Sequence, residues 1–231
     1  MKVAIMQPYF LPYIGYWQLM AAVDVFVVYD NIKYTKKGWI NRNRFLKNGT
    51  DAIFSLPLKK DSDHLNIVDR ELAVDFSPDK LLNQFCGAYA RAPNFKDTIS
   101  LMERILRFEE RNLFRYIYHS ILCIHEHLGM GTRVVVSSHV PIDHDLKAQD
   151  KVLTLCTALG ADTYINPIGG VDLYSKEEFS GRGVKLQFLK SRPCIYPQWK
   201  DFVPWLSIID VLMFNTPQEC VQKMLGEYDY C

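Results

Sequence analysis

The chain carries almost no surplus of charge: Lys and Arg total 27 against 26 Asp and Glu, a net charge of +1 over 231 residues. A domain that binds by neutralising phosphates carries a basic excess, so the balance argues against a nucleic-acid partner. Long apolar runs are missing too. No window approaches the roughly 20 consecutive apolar residues that span a bilayer, so no membrane association is expected. The N-terminus has one Lys and a short apolar stretch, without a signal-peptide core or a small-residue cleavage site.

Paired cysteines are absent. Cys86, Cys123, Cys156, Cys194, Cys220 and Cys231 include no C-x-x-C, which removes the usual zinc and redox spacings. Free thiols point to a reducing compartment, and the expected location is the cytoplasm. Several catalytic signatures are also lacking. There is no G-x-G-x-x-G fingerprint and no G-x-S-x-G elbow. His125 and His127 are two apart on a helical pattern, so they face different sides and make no chelating pair. No metal site is expected, and no cofactor motif is visible.

What is present is an ordinary globular composition, 48% apolar and 23% charged. The stretch "KVAIMQ" reads as a buried strand, "IGYWQLMAAV" as a short helix and "VFVVYD" (25–30) as a second buried strand. Strand, helix and strand within about thirty residues form the βαβ pattern. "DAIFSLPLKK" (51–60), "TRVVVSS" (132–138), "DTYINP" and "VKLQFLK" read as further strands. Residues 77–130 are rich in helical periodicity, with Ser77 as N-cap and Pro78 at the first helical position. They are expected to form a helix-rich insert within one domain spanning 1–231. "DLKAQDKVLTLCTALG" and "WLSIIDVLMFN" read as later helices. The expected fold is α/β, with a mainly parallel sheet flanked by helices.

In such sheets ligands bind beyond the carboxyl ends of the strands. That rule gathers Gln7 and Tyr9, Asp30, Ser137 with Ser138 and His139, and Asn166 before Gly169 and Gly170. The first turn, "MQPYFLPYIGYWQL", is unusual for a connection. It carries Tyr9, Tyr13 and Tyr16 where Gly, Asn, Asp or Ser would serve, as a pocket wall would. "KYTKKGWINRNRF" (33–45) supplies Lys36 and Arg42 for phosphate, Trp39 for stacking, and Asn41 and Asn43. A solvated cationic loop pinned by Trp39 is the plainer reading. In "YINPIGG" the paired glycines let backbone approach a ligand, with Tyr174 nearby. His139 or Asp30 can take a proton from an attacking amine.

Three stretches together, "MQPYFLPYIGYWQL", "YINPIGGVDLYSKEEF" and "LSIIDVLMFN", resemble the WbqC-like proteins, and "WINRNR" fits them too. The similarity runs over essentially the whole chain. That family belongs to bacterial clusters for O-antigen and other surface polysaccharides. The resemblance implies a transferase working on a nucleotide-linked sugar, adding an acyl or aminoacyl group to an amino sugar. The donor would be coenzyme A or an acyl or aminoacyl carrier protein. A second similarity is shorter. The first turn looks like that of nucleotidylyltransferases, which implies a nucleotidylyltransferase-like fold. Their H-x-G-H reads Tyr13-Ile14-Gly15-Tyr16 here, so the histidines that steady a transferring phosphoryl group are missing. The alternatives are an ATP-using nucleotidylyltransferase or ligase-like enzyme, and a non-catalytic sugar-binding or scaffold protein.

Overall fold

The computed structural model describes residues 1–62 and 64–231. Its centre is a six-stranded sheet built from β1 (Lys2–Met6), β2 (Val25–Val28), β5 (Arg133–Val136), β6 (Thr163–Pro167), β7 (Lys185–Ser191) and β8 (Tyr228–Tyr230). The order across the sheet is β5-β2-β1-β6-β7-β8. Every pairing is parallel except β7 with β8. The chain thus winds outward from β1 in one direction, then returns to β6 and winds in the other. This doubly wound order places the reversal between β1 and β6.

Both faces of the sheet are covered, and the strands alternate accordingly. Ala4, Phe26, Val28 and Leu189 point to the larger apolar core, while Val3, Ile5, Val25, Val27 and Phe188 point to the other. The larger core holds α1 (Ile14–Ala21), α2 (Pro78–Tyr89), α3 (Phe95–Leu106) and α4 (Leu113–His127), together with α7 (Ile208–Phe214) and α8 (Pro217–Lys223). The smaller core holds α5 (Ala148–Leu159) and α6 (Lys176–Gly181). The α/β expectation is therefore correct, and α2, α3 and α4 fill the stretch read as helix-rich.

"WINRNR" is not simply a strand-end loop. From Arg42 it enters β3 (Arg42–Lys47), which pairs antiparallel with β4 (Thr50–Ser55) in a separate two-stranded sheet. Lys47 pairs with Thr50, and Asn48 and Gly49 between them hold φ of 54° and 83°. Two left-handed residues in a two-residue loop are what Asn-Gly supplies best. Phe45 and Phe54 of this hairpin meet Phe85 of α2 edge-on, at centroid distances of 5.6 and 5.1 Å.

Candidate functional site

The sheet opens at its reversal point. β1 pairs with β2 through Met6 and Val28, and β6 with β7 through Pro167 and Leu189. Between β1 and β6, however, pairing is confined to Lys2 with Thr163 and Val3 with Tyr164. The two strands therefore part toward their carboxyl ends, and a cavity of about 400 Å³ lies there. Met6, Tyr9, Tyr13 and Tyr16 line one side, Pro167, Ile168 and Gly169 another, and Lys190, Ser191 and Trp205 the rim. A size of this order suits a small organic ligand.

The tyrosine wall is held from several directions. Phe10 N–H donates to the Ile40 carbonyl at 2.8 Å, and Ile208 N–H donates to that of Pro12 at 2.9 Å. The Leu11 carbonyl accepts from Asn43 Nδ2 at 2.9 Å and from Ser207 Oγ at 2.7 Å. Leu11 itself sits at φ 47°, a conformation disfavoured for a branched side chain and sustained only by such surroundings. The Tyr16 hydroxyl donates to the Gln7 carbonyl at 3.2 Å, and that of Tyr9 donates to Gln7 Oε1 at 3.1 Å. Burial raises the pKa of both phenols, with each phenol's neighbour on the wall adding to it. They act as neutral hydrogen-bonding groups. Tyr16 is buried, whereas Tyr9 and Tyr13 are half-buried.

A second hollow of about 180 Å³ adjoins the first, sharing Tyr9, Tyr13 and Trp205. Pro12, Trp39, Asn43 and Arg44 complete it. The remaining members of the "KKGWINRNR" stretch do other work. Arg42 donates to the carbonyls of Gly38 at 2.9 Å and Lys37 at 2.6 Å. Asn41 accepts from Tyr34 Oη and donates to the Leu56 carbonyl, each at 2.8 Å. Lys36 is exposed on the same loop.

Asp30 lies in a separate polar cluster at the ends of β2 and β5. It is 2% exposed, and its Oδ1 accepts from Ser137 Oγ at 2.7 Å and from Ser138 N–H at 3.0 Å. Ser137 is buried, while Ser138 and His139 are exposed on the short 3-10 turn that follows β5. Lys151 of α5 reaches the same cluster. Only 4% exposed, it donates to the His144 carbonyl at 3.0 Å and stands 5.3 Å from the Tyr29 ring centroid. Burial pulls its pKa down, and Asp30, Asp145 and Asp143 partly offset this. Burial pushes the Tyr29 phenol up to about 12, with Tyr174 and Asp30 contributing.

Asn166 is buried at the end of β6. It accepts from the Tyr164 hydroxyl at 3.1 Å and donates to the Pro167 carbonyl at 3.2 Å. A Cβ on Gly170 would stand 2.0 Å from Asn166 Nδ2, so glycine is what lets the turn close. Tyr174 meets Tyr164 edge-on at 5.6 Å.

The structure thus brings Tyr9, Tyr13, Tyr16 and Gly169 into one cavity and Trp39 and Asn43 into its neighbour. Asp30, Ser137 and Ser138 group apart from both, on the same edge of the sheet, with His139 next in the chain. Sequence reading missed Trp205, Lys190 and Lys151. Lys151 carried a signal, since it stands one helical turn before the apolar-face residue Leu155. Trp205 lies in the aperiodic, Pro-rich stretch 193–206, where only its exposed aromatic character marked it.

Fold and cavity define an α/β protein with a doubly wound sheet and an aromatic pocket at the strand-order reversal. A family model described as the WbqC-like protein family matches residues 7–222, and the chain belongs to that family. An uncharacterized protein of Mycobacterium tuberculosis is 29% identical over 229 residues, covering 94% of this chain and 95% of that protein. No helix among the described residues is long and apolar enough to cross a membrane.

Proposed function

We propose that this chain is a transferase of bacterial surface-polysaccharide biosynthesis, acting on a nucleotide-linked amino sugar held at the strand-order reversal. The observation that carries the reading is the 400 Å³ cavity walled by Tyr9, Tyr13 and Tyr16. Its phenols offer hydrogen bonds to sugar hydroxyls and its rings offer faces to the sugar carbons. Lys190 at the rim supplies a cation for the diphosphate, and Arg42 holds the neighbouring Trp39 loop.

The reaction is N-acyl or aminoacyl transfer. The amino nitrogen attacks the carbonyl carbon of a thioester on coenzyme A or a carrier protein, or of an aminoacyl ester on its carrier. The new C–N bond forms as the C–S or C–O bond breaks, and the carrier leaves as thiol or alcohol. The expected bases, His139 and Asp30, line neither hollow, so the amine proton leaves to water at the open rim of the cavity. Backbone N–H groups about Gly169, which lines the cavity, are the donors assigned to the developing oxyanion. The doubly wound strand order also favours a second reading, an ATP-using nucleotidylyltransferase or ligase-like enzyme. Tyr13 and Tyr16 in place of the histidines weigh against it.

A thermal-shift panel separates these readings. It contains several nucleotide-linked amino sugars, ATP with magnesium, and coenzyme A esters. A ligand at about a hundred times its Kd adds roughly 2.7 kcal/mol of stability. Stabilisation by an amino-sugar nucleotide, and an acylated product by mass spectrometry when donor is added, is the expected result. Stabilisation by ATP alone supports the second reading. Binding without turnover marks a sugar-binding or scaffold protein.

A further inference from the structure

Trp39 and Trp205 are far apart in sequence, yet both face the 180 Å³ hollow beside the main cavity. They are 43% and 50% exposed, although neither sits on loosely held chain. Arg42 ties the Trp39 loop through two carbonyls and places its guanidinium 5.5 Å from the indole centroid. Arg44 donates to the Trp205 carbonyl at 3.1 Å, and its guanidinium lies 5.9 Å from the Trp39 ring. Tyr13 meets Trp205 edge-on at 5.8 Å and 70°. Trp205 itself holds φ 61°, a left-handed conformation that a bulky residue rarely adopts. Its carbonyl is fixed in that conformation, and its indole stands at the junction of the two hollows.

The amide and the cation of this hollow, Asn43 and Arg44, are already engaged. Asn43 donates to the Leu11 carbonyl and accepts from Arg44 N–H, each at 2.9 Å. Arg44 also pairs with Asp51 at 3.2 Å. A hydroxyl-rich ring placed here would leave donors unmatched. A flat aromatic ring needs no such partners, because indole and guanidinium faces stack on it.

We infer that the hollow is a nucleobase subsite, with Trp39 and Trp205 as its stacking walls. The inference rests on the nucleotide-linked substrate proposed above and names which part of it goes where. The base lies between the tryptophans, and the sugar extends past Tyr13 into the larger cavity. Because the walls offer π faces rather than hydrogen-bonding edges, affinity follows stacking strength, and purine diphosphates bind at least as well as pyrimidine ones.

The test is tryptophan fluorescence titrated with UDP, TDP and GDP, and calorimetry with N-acetylglucosamine 1-phosphate as the ligand without a base. All three diphosphates quench the wild type. Trp39→Ala and Trp205→Ala each weaken UDP by roughly tenfold or more, the scale of one lost stacking contact. Trp205→Phe keeps most of the affinity, melting temperatures stay near that of the wild type, and sugar-phosphate binding is unaffected. Diphosphate binding undiminished in both alanine variants overturns the subsite. So does sugar-phosphate binding with no diphosphate binding, which leaves the sugar pocket standing. Diphosphate binding through the tryptophans without amino-sugar turnover overturns the transferase reading and keeps the subsite. A protein that binds none of these ligands overturns both.

Discussion

Tyr196 donates its hydroxyl to Asp210 Oδ1 at 2.7 Å, joining the irregular stretch that carries Trp205 to the first turn of α7. Gln198 Nε2 donates to the same oxygen at 2.7 Å, and Tyr89 donates to Oδ2 at 2.8 Å. Asp210 is fully buried with no cation among these partners. Three donors on one carboxylate fasten the stretch that closes the rim of the pocket.

Asp210→Ala leaves these donors without their acceptor. Each orphaned buried group costs about 1–3 kcal/mol, so a loss on the order of 3 kcal/mol or more is expected. For a chain of this length that is a fall in Tm of roughly 6–12 °C, measurable by calorimetry.

The same carboxyl sets a pH dependence. Burial raises the Asp210 pKa above its ordinary value, against the pull of Tyr196, Tyr89 and Gln198. The folded state therefore holds this proton more tightly than the unfolded state. Its stabilising contribution is fully present below the ordinary aspartate pKa and is lost as pH rises through the raised folded value. Urea unfolding of the wild type and Asp210→Asn across mildly acidic pH shows the difference, since the amide removes this slope.

Lys151 gives the opposite window. Its pKa is lowered by burial, so the unfolded state binds the proton more tightly. Stability from this site rises as pH climbs from the lowered folded value to the ordinary lysine value. Melting curves of Lys151→Met lack this alkaline gain.

The paired glycines separate cleanly. Gly170→Ala puts a Cβ 2.0 Å from Asn166 Nδ2, whereas the same change at Gly169 meets nothing within 4 Å. Gly170→Ala should cost about 1–3 kcal/mol through displacement of Asn166, and Gly169→Ala should leave Tm nearly unchanged. Denaturant midpoints check both.

Arg42→Ala frees the Trp39 loop from its two carbonyl tethers. Nucleotide-sugar affinity should fall about tenfold, equivalent to roughly 1.4 kcal/mol, in calorimetry. Arg42→Lys should not restore it, because one ammonium lacks the planar fork that reaches both carbonyls.

The strands and most helices were legible because burial dictates them. "VFVV" is buried throughout and "KVAIM" in its middle, in keeping with parallel strands covered on two faces. The rule for strand ends gathered Gln7, Tyr9, Asp30, Ser137, Ser138, His139, Asn166 and Gly169 into one place. The structure instead brings Tyr9 and Gly169 into one cavity and sets the cluster of Asp30, Ser137 and Ser138 apart. The hairpin at Arg42–Ser55 was legible too, through Asn48-Gly49, but the cationic run drew attention to charge instead of turn chemistry. β8, with three residues, carries no period long enough to read. Trp205 was beyond local pattern, because its place beside Tyr13 and Arg44 is set by contacts across more than 150 residues.

A rival location lies on the helical side of the molecule. A hollow of about 530 Å³ beside α2 and α4 is larger, but it is lined by Asp79, Glu109 and Glu110 as well as by Arg107 and Arg111. Arg107 is paired with Asp79 at 3.2 Å, and Arg111 donates to the Leu72 carbonyl at 3.1 Å, so its cations are engaged. The most direct measurement is photo-crosslinking with a nucleotide-linked amino sugar bearing a photoreactive acyl group, mapped by peptide mass spectrometry. Label within Tyr9–Tyr16, Pro167–Gly169 or Leu189–Ser191, displaced by the unlabelled nucleotide sugar, is the predicted result. Displaceable label confined to Leu72–Asp79 or Arg107–Tyr116 would contradict the assignment of the strand-end cavity as the binding site.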